Sequence, residues 1–177
     1  MWLDAHPDVS DPSMHQHEHA MVLGNLLGEG DAVFSSKVTH PLAPRQIMYG
    51  GLQEMTMKET EIVQRLNIQS VASKDLATTS TPIIKWIQDN NIQHLAIHFD
   101  LDVLDPNLFR SLLFSNPEGP TINAPTGDMT LRQISNIIND VSKETDVVGL
   151  SITEHLPWDA MNLRDFLSEL PIFKESK

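Results

Sequence analysis

Trp2-Leu3-Asp4-Ala5-His6-Pro7-Asp8 and His98-Phe99-Asp100-Leu101-Asp102-Val103-Leu104-Asp105-Pro106 are the stretches that decide the fold. Each is a short apolar run that stops at a cluster of acids, and the first cluster also carries a histidine. An apolar run ending in this way reads as a buried strand that delivers polar side chains from its C-terminal end. Working outward, residues 46–49, 68–72, 95–99 and 147–152 are further short apolar runs, and residues 2–3 are a strand stub. Between them lie stretches of helical composition. Residues 19–27 form one, stopped by Gly28 and Gly30; residues 58–66 form a second. Thr81-Pro82 opens a third through residue 88, with proline at its favoured first position. Thr130 and Gln133 make a capping box for a fourth that runs to residue 141, and residues 159–170 form the last. The Pro- and Gly-rich segment 106–128 reads as loop.

Alternation of strand and helix, with strands apolar along their whole length, predicts a mainly parallel sheet of about five strands. Helices would cover both faces, giving a three-layer α/β/α domain over residues 1–177. In such sheets function gathers at the carboxyl ends of the strands. Both acidic clusters fall there, as does Glu154, just past the run 147–152.

Composition narrows the partners. The 177 residues carry 24 acids against 12 bases, a net charge of -12, which argues against nucleic acid or an anionic membrane as partner. With no cysteine, a thiolate metal site, a disulfide framework and a thiol nucleophile are excluded, and a cytoplasmic location is the expectation. No apolar run approaches the roughly 20 residues of a membrane span.

Side chains alternate faces along a strand, so Asp4, His6 and Asp8, spaced by two, share one direction, as do Asp100 and Asp102. Carboxylates and one imidazole form a hard, oxygen-rich donor set suited to Mn²⁺ or Mg²⁺. Acids converging in this way repel one another unless a cation sits among them. A pair of ions sharing carboxylates lowers the pKa of a trapped water and supplies hydroxide near neutral pH. His15 and His17 read as loop residues, His98 as a hydrogen-bonded core histidine, and Asp105 as a turn former before Pro106. Trp86, Met48, Met55 and Met57 read as packing residues.

The motifs together resemble the ureohydrolases, the family of arginase, agmatinase and formiminoglutamase. Trp-Leu-Asp-Ala-His-Pro-Asp, then His19, then Phe-Asp-Leu-Asp-Val-Leu-Asp-Pro, then Gly127-Asp128-Met129-Thr130, then Ser-Ile-Thr-Glu154 follow the family's order along nearly the whole chain. The resemblance implies a binuclear Mn²⁺ site. Asp4 and Asp100 would bridge the ions, His6 and Asp102 would bind one, and Asp8 the other. A metal-bridging hydroxide would attack the C–N carbon of a guanidino or formimino substrate. By the same resemblance His19 would shuttle a proton, and Glu154 would hold the substrate's cationic nitrogens.

Two departures qualify it. The family's Gly-Gly-Asp-His motif, which supplies a further histidine ligand, does not occur, so the chain reads as an N-terminally shortened ureohydrolase with one weakened ion site. The missing strands would leave the 147–152 edge open, with apolar residues on both faces, and invite self-association. Thr56 stands where arginases place the Asp that binds the α-amino group, so L-arginine itself is in question. The alternative reading is a non-catalytic remnant with an incomplete metal site. A weaker one is the related deacetylase class, which shares Asp-x-His but uses one zinc ion and a tyrosine; Tyr49, the one tyrosine here, ends a different strand.

Overall fold

The structure, a computed structural model, describes residues 1–119 and 122–169. Five strands form one sheet in the order β3-β2-β1-β4-β5, every neighbouring pair parallel. They are β1 (Trp2–Leu3), β2 (Met48–Gly50), β3 (Gln69–Val71), β4 (His94–Asp100) and β5 (Asp146–Thr153). Among the described residues, seven α-helices surround them: α1 (Val22–Leu27), α2 (Ala32–Ser35), α3 (Met57–Leu66), α4 (Ser73–Leu76), α5 (Thr81–Asp89), α6 (Leu131–Glu144) and α7 (Trp158–Glu169). The three-layer α/β/α class expected from the sequence is what is observed. Residue 170, the expected end of the last helix, lies outside the described residues.

Strand alternation divides the core. Trp2 and Tyr49, paired in register, face one side and pack with Leu23 of α1 and Val63 of α3. Leu3, Met48, Ile97 and Phe99 face the other and pack with Ile83 and Trp86 of α5 and Ile134, Ile137 and Val141 of α6. Central strand β1 is only two residues long, yet it pairs with β2 on one side and β4 on the other. Asp4, immediately after it, is thereby fixed beside the ends of both neighbours.

The caps explain where the helices begin. Thr130 Oγ1 accepts from the Gln133 amide at 3.2 Å, and Gln133 Oε1 accepts from the Thr130 amide at 2.7 Å, the box expected from the sequence. Thr56 forms the same box with Glu59 at the head of α3. The expected helix 19–27 is split into a 3₁₀ turn, Glu18–Met21, and α1, which ends at Gly28 in a left-handed conformation (φ 80°). Short helices α2 and α4 were not expected; four residues give too little periodicity to read. Met48 and Trp86 are core and Met55 packs at its margin, but Met57 is 78 % exposed at the first turn of α3, so its reading as a packing residue is corrected. Asp105 does form a turn: its Oδ1 accepts from the Asn107 amide at 2.8 Å.

The β5 edge is open. Val148, Leu150 and Ile152 are each at least half exposed. They alternate along one face, whereas Gly149 and Ser151 on the other are small or polar, so the expectation of apolar residues on both faces is corrected.

Candidate metal centre

The tips of β1 and β4 meet at a single cluster. Asp4, Asp100 and Asp102 are each less than 9 % exposed. Oδ1 of Asp4 accepts from the His6 amide at 2.7 Å, and Oδ1 of Asp100 accepts from the Asp102 amide at 2.8 Å. Each acid thus folds the chain back over its own strand end and fixes the residue two positions on. The two tips are joined directly. Ala5 N–H donates to Asp102 Oδ1 at 3.2 Å, and His6 Nδ1 lies 2.8 Å from Asp102 Oδ2. Trp2 Nε1 donates to Asp4 Oδ2 at 3.1 Å, and Thr153 of β5 donates to Asp100 Oδ2 at 2.7 Å. Such outer hydrogen bonds orient carboxylates toward a common centre.

Two ligand triads share Asp4. One ligand atom from each of Asp4, His6 and Asp102 lies within 4.8 Å of the other two, and the same holds for Asp4, His98 and Asp100. Asp8 approaches Asp4 closely enough for a side-chain hydrogen bond. Its backbone is left-handed (φ 51°), and its carbonyl accepts from Gly24 of α1 at 2.9 Å. Tyr49, fully buried, donates its hydroxyl to the Pro7 carbonyl at 2.7 Å and pins the loop between His6 and Asp8. Tyr49 is not among the residues that line the cavity over the cluster.

The electrostatics are those of a site lacking positive charge. Burial, then the charges of Asp8, Asp102 and Asp100, pushes Asp4 well above the usual carboxylate range. Burial and the Asp100 charge lift Asp8 to about 7; burial and the Asp102 charge lift Asp100 to about 7. For Asp102, burial is outweighed by the hydrogen bond and charge of His6, and its pKa falls below the ordinary value. For His6, burial is likewise outweighed by Asp102, and its pKa rises. Four carboxylates, three of them raised in pKa by burial and then by one another's charge, are a donor set that fits divalent cations bound through oxygen and imidazole nitrogen.

A cavity of about 370 Å³ opens over the cluster. Its lining includes all five expected ligands (Asp4, His6, Asp8, Asp100 and Asp102) and also His19 and Glu154. Glu154 follows β5 in a left-handed conformation (φ 59°) that turns the chain at the cavity rim. His15 and His17 are loop residues as expected, but they line the same cavity, and the His17 and His19 rings stack at 5.6 Å. Glu59 was missed: its carboxylate accepts from Ser10 at 3.2 Å and borders the cavity, a position no local spacing reveals. Trp2 and His98 were also given no site role. Both sit two residues before a metal-type acid, and that spacing was the available signal.

Where the described chain passes beneath the cluster it does so tightly. A Cβ on Gly127 would lie 2.0 Å from the Val103 carbonyl, and the Gly127 amide donates to the Asp102 carbonyl at 2.9 Å. Only glycine fits there, against the backbone of the β4 tip.

A parallel sheet whose strand tips converge on a carboxylate–imidazole cluster defines an α/β protein with a candidate metal site at its strand ends. The family model described as Arginase family matches residues 1–162, and the chain belongs to that family. It is 28 % identical over 162 residues to the arginase of Entamoeba histolytica, covering 89 % of this chain and 52 % of the relative. It is 25 % identical over 113 residues to the arginase of Staphylococcus aureus, covering 60 % of this chain and 37 % of the relative. The crystal structure of Entamoeba histolytica arginase in complex with L-ornithine superposes with a TM-score of 0.72 at 24 % identity, over 88 % of this chain and 52 % of that one. Arginase from Bacillus caldovelox gives 0.72 at 17 % identity, over 88 % and 52 %. The chain spans about half the length of the curated relatives it matches most fully. Among the described residues, no helix is long and apolar enough to cross a membrane.

Proposed function

We propose that this chain carries the metal-dependent hydrolytic centre of a ureohydrolase, acting on the C–N bond of a small linear amidine with a guanidino or formimino group. The observation that carries this reading is Asp4, whose carboxylate belongs to both ligand triads. One carboxylate common to two cation positions is what a binuclear centre requires. Asp4 and Asp100 would help hold both ions, with His6 and Asp102 holding one of them and Asp8 the other. Mn²⁺ suits this mixed oxygen and nitrogen set. When bound, the ions supply a deprotonated water as nucleophile near neutral pH.

The chain's own residues do the remaining work. Glu154, at the end of β5, accepts paired N–H donors from a planar amidinium and aims its carbon at the cluster. His19, on the exposed 3₁₀ turn across the cavity, carries a proton from solvent to the departing amine. Asp102 holds the His6 ring at 2.8 Å and sets its orientation. The cavity is the size of a small-molecule site, and its acidic lining favours a cationic substrate.

The test is product formation. The chain, loaded with Mn²⁺, is incubated separately with L-arginine, agmatine, guanidinobutyrate and formiminoglutamate, and urea or formamide is measured. Turnover of one of them, lost in Glu154→Gln and His19→Ala, is the expected result. Metal binding without turnover of any linear amidine would instead support the non-catalytic remnant.

A further inference from the structure

His98 is the residue of the cluster that the proposed function leaves unused. It lies on β4 two positions before Asp100, so its side chain leaves the sheet on the Asp100 side. Its ring stacks on Trp2, with centroids 3.9 Å apart and planes at 22°. Nδ1 is 3.1 Å from the hydroxyl of Ser151, its register partner on β5. The other nitrogen, Nε2, is buried and has no hydrogen-bond partner among the described residues. An orphaned buried polar atom in a well-packed protein calls for a cause.

The surroundings of Nε2 supply one. It lies 3.6 Å from Asp4 Oδ2, too far for a hydrogen bond. Two ligands of one cation, each bonded at about 2.1 Å, are held roughly 3 to 4 Å apart. A ring nitrogen of His98 and one oxygen each of Asp4 and Asp100 all fall within 4.8 Å of one another. A metal-bound imidazole donates its second N–H to a fixed acceptor, which selects the tautomer with a free lone pair on the metal side. Ser151 Oγ is positioned to accept from Nδ1, and the Trp2 ring holds the imidazole plane.

We propose that His98 Nε2 is a nitrogen ligand of the divalent cation shared by Asp4 and Asp100, distinct from the ion bound by Asp4, His6 and Asp102. Ser151 is then a positioning residue that fixes the tautomer of His98. This inference rests on the metal-centre reading and extends it by giving the second ion its own nitrogen donor.

The test is a Mn²⁺ titration of the full chain by calorimetry, with pulsed EPR on the loaded protein to read histidine nitrogen couplings. The wild type is expected to bind two ions and to show nitrogen coupling from two histidines. His98→Ala should weaken one of the two ions by ~100-fold or more and remove one set of couplings, leaving the His6 set. Ser151→Ala, which keeps the imidazole, should weaken the same ion by ~10-fold, the scale of outer-shell partners. Should His98→Ala fail to fold, Ser151→Ala decides alone: unchanged affinity there overturns the proposal. Two ions at wild-type affinity with unchanged nitrogen couplings in His98→Ala would also overturn it, leaving the metal centre itself intact. A wild-type chain that binds no Mn²⁺ would overturn both.

Discussion

His6 Nδ1 lies 2.8 Å from Asp102 Oδ2, and this contact joins residues 96 positions apart in sequence at the tips of two adjacent parallel strands. The pair is the only part of the described cluster whose charges are already matched: His6 is shifted toward its cationic form and Asp102 toward its anionic one. For the other three acids burial comes first and the neighbouring carboxylates second, and both raise their pKa values.

Removing His6 exposes the value of the contact. His6→Ala leaves Asp102 buried with its hydrogen-bond partner gone, at a cost of about 1–3 kcal/mol in the metal-free chain. The double variant His6→Ala/Asp102→Asn should recover part of that loss. Urea denaturation at pH 7 measures both. A single variant as stable as the wild type would show that the pair contributes nothing.

Through Asp8 and Asp100 the metal-free chain loses stability as pH rises from about 4 to about 7, while His98 and the Met1 amine, lowered by burial to about 4 and about 5, oppose that loss. Asp8 and Asp100 have folded-state pKa values of about 7, above the ordinary carboxylate value of 3.8. In that window these two groups bind more protons in the folded state than in the unfolded state, so their contribution to the slope of stability against pH is negative. Below the window both states are protonated and the penalty is absent. Thermal melts at pH 5 and pH 8 in a chelator read the difference. Added Mn²⁺ should restore more stability at pH 8 than at pH 5, because it must displace protons at the lower pH. A metal-free melting point whose pH dependence is the same in the wild type and in Asp8→Asn/Asp100→Asn would contradict the assigned electrostatics.

Tyr49→Phe removes the bond to the Pro7 carbonyl without emptying the core. It should cost about 1 kcal/mol in stability. It should also weaken metal binding, because the loop from His6 to Asp8 loses its anchor. Loss of stability with metal affinity unchanged would show that the bond serves the core alone.

Glu154 is held at φ 59°, a region costly for any residue with a Cβ. Glu154→Gly relieves that strain but frees the unfolded chain, for a net stabilisation of under ~1 kcal/mol. The same variant should abolish turnover of a cationic amidine. A destabilised Glu154→Gly would mean that the carboxylate, rather than the turn, matters to folding.

The β5 edge predicts self-association. Leu150 and Ile152 are exposed on β5, whose outer edge pairs with no strand among the described residues. Ile152→Lys should reduce concentration-dependent association in light scattering. Equal association in both proteins would place the contact elsewhere.

Much of this was legible because parallel sheets write themselves plainly. The apolar runs before Asp4 and Asp100 sit within a residue or two of β1 and β4, and the Thr130–Gln133 box marked the start of α6. Residues at i and i+2 past a strand end were enough to bring Asp4, Asp100 and Asp102 together. Less was legible where the contact is long-range. Glu59 belongs to α3 and reaches the cavity only because Ser10 meets it across the sheet top. Tyr49 reads as strand, and nothing local says that its hydroxyl crosses to Pro7. His98 was read as a hydrogen-bonded core histidine. Half of that is observed, at Nδ1, while the other ring nitrogen is aimed at the acids. The left-handed turns at Asp8 and Glu154 carry no glycine signature and are set by tertiary contacts instead.

The account depends on these strand tips forming a cation site around the shared Asp4. Mn²⁺ titration of the wild-type chain beside Asp4→Asn at pH 8 tests this most directly. Two ions per wild-type chain, and loss of both in the variant with its metal-free stability unchanged or raised, is the predicted result. Identical binding by the two proteins, or none by either, would contradict it.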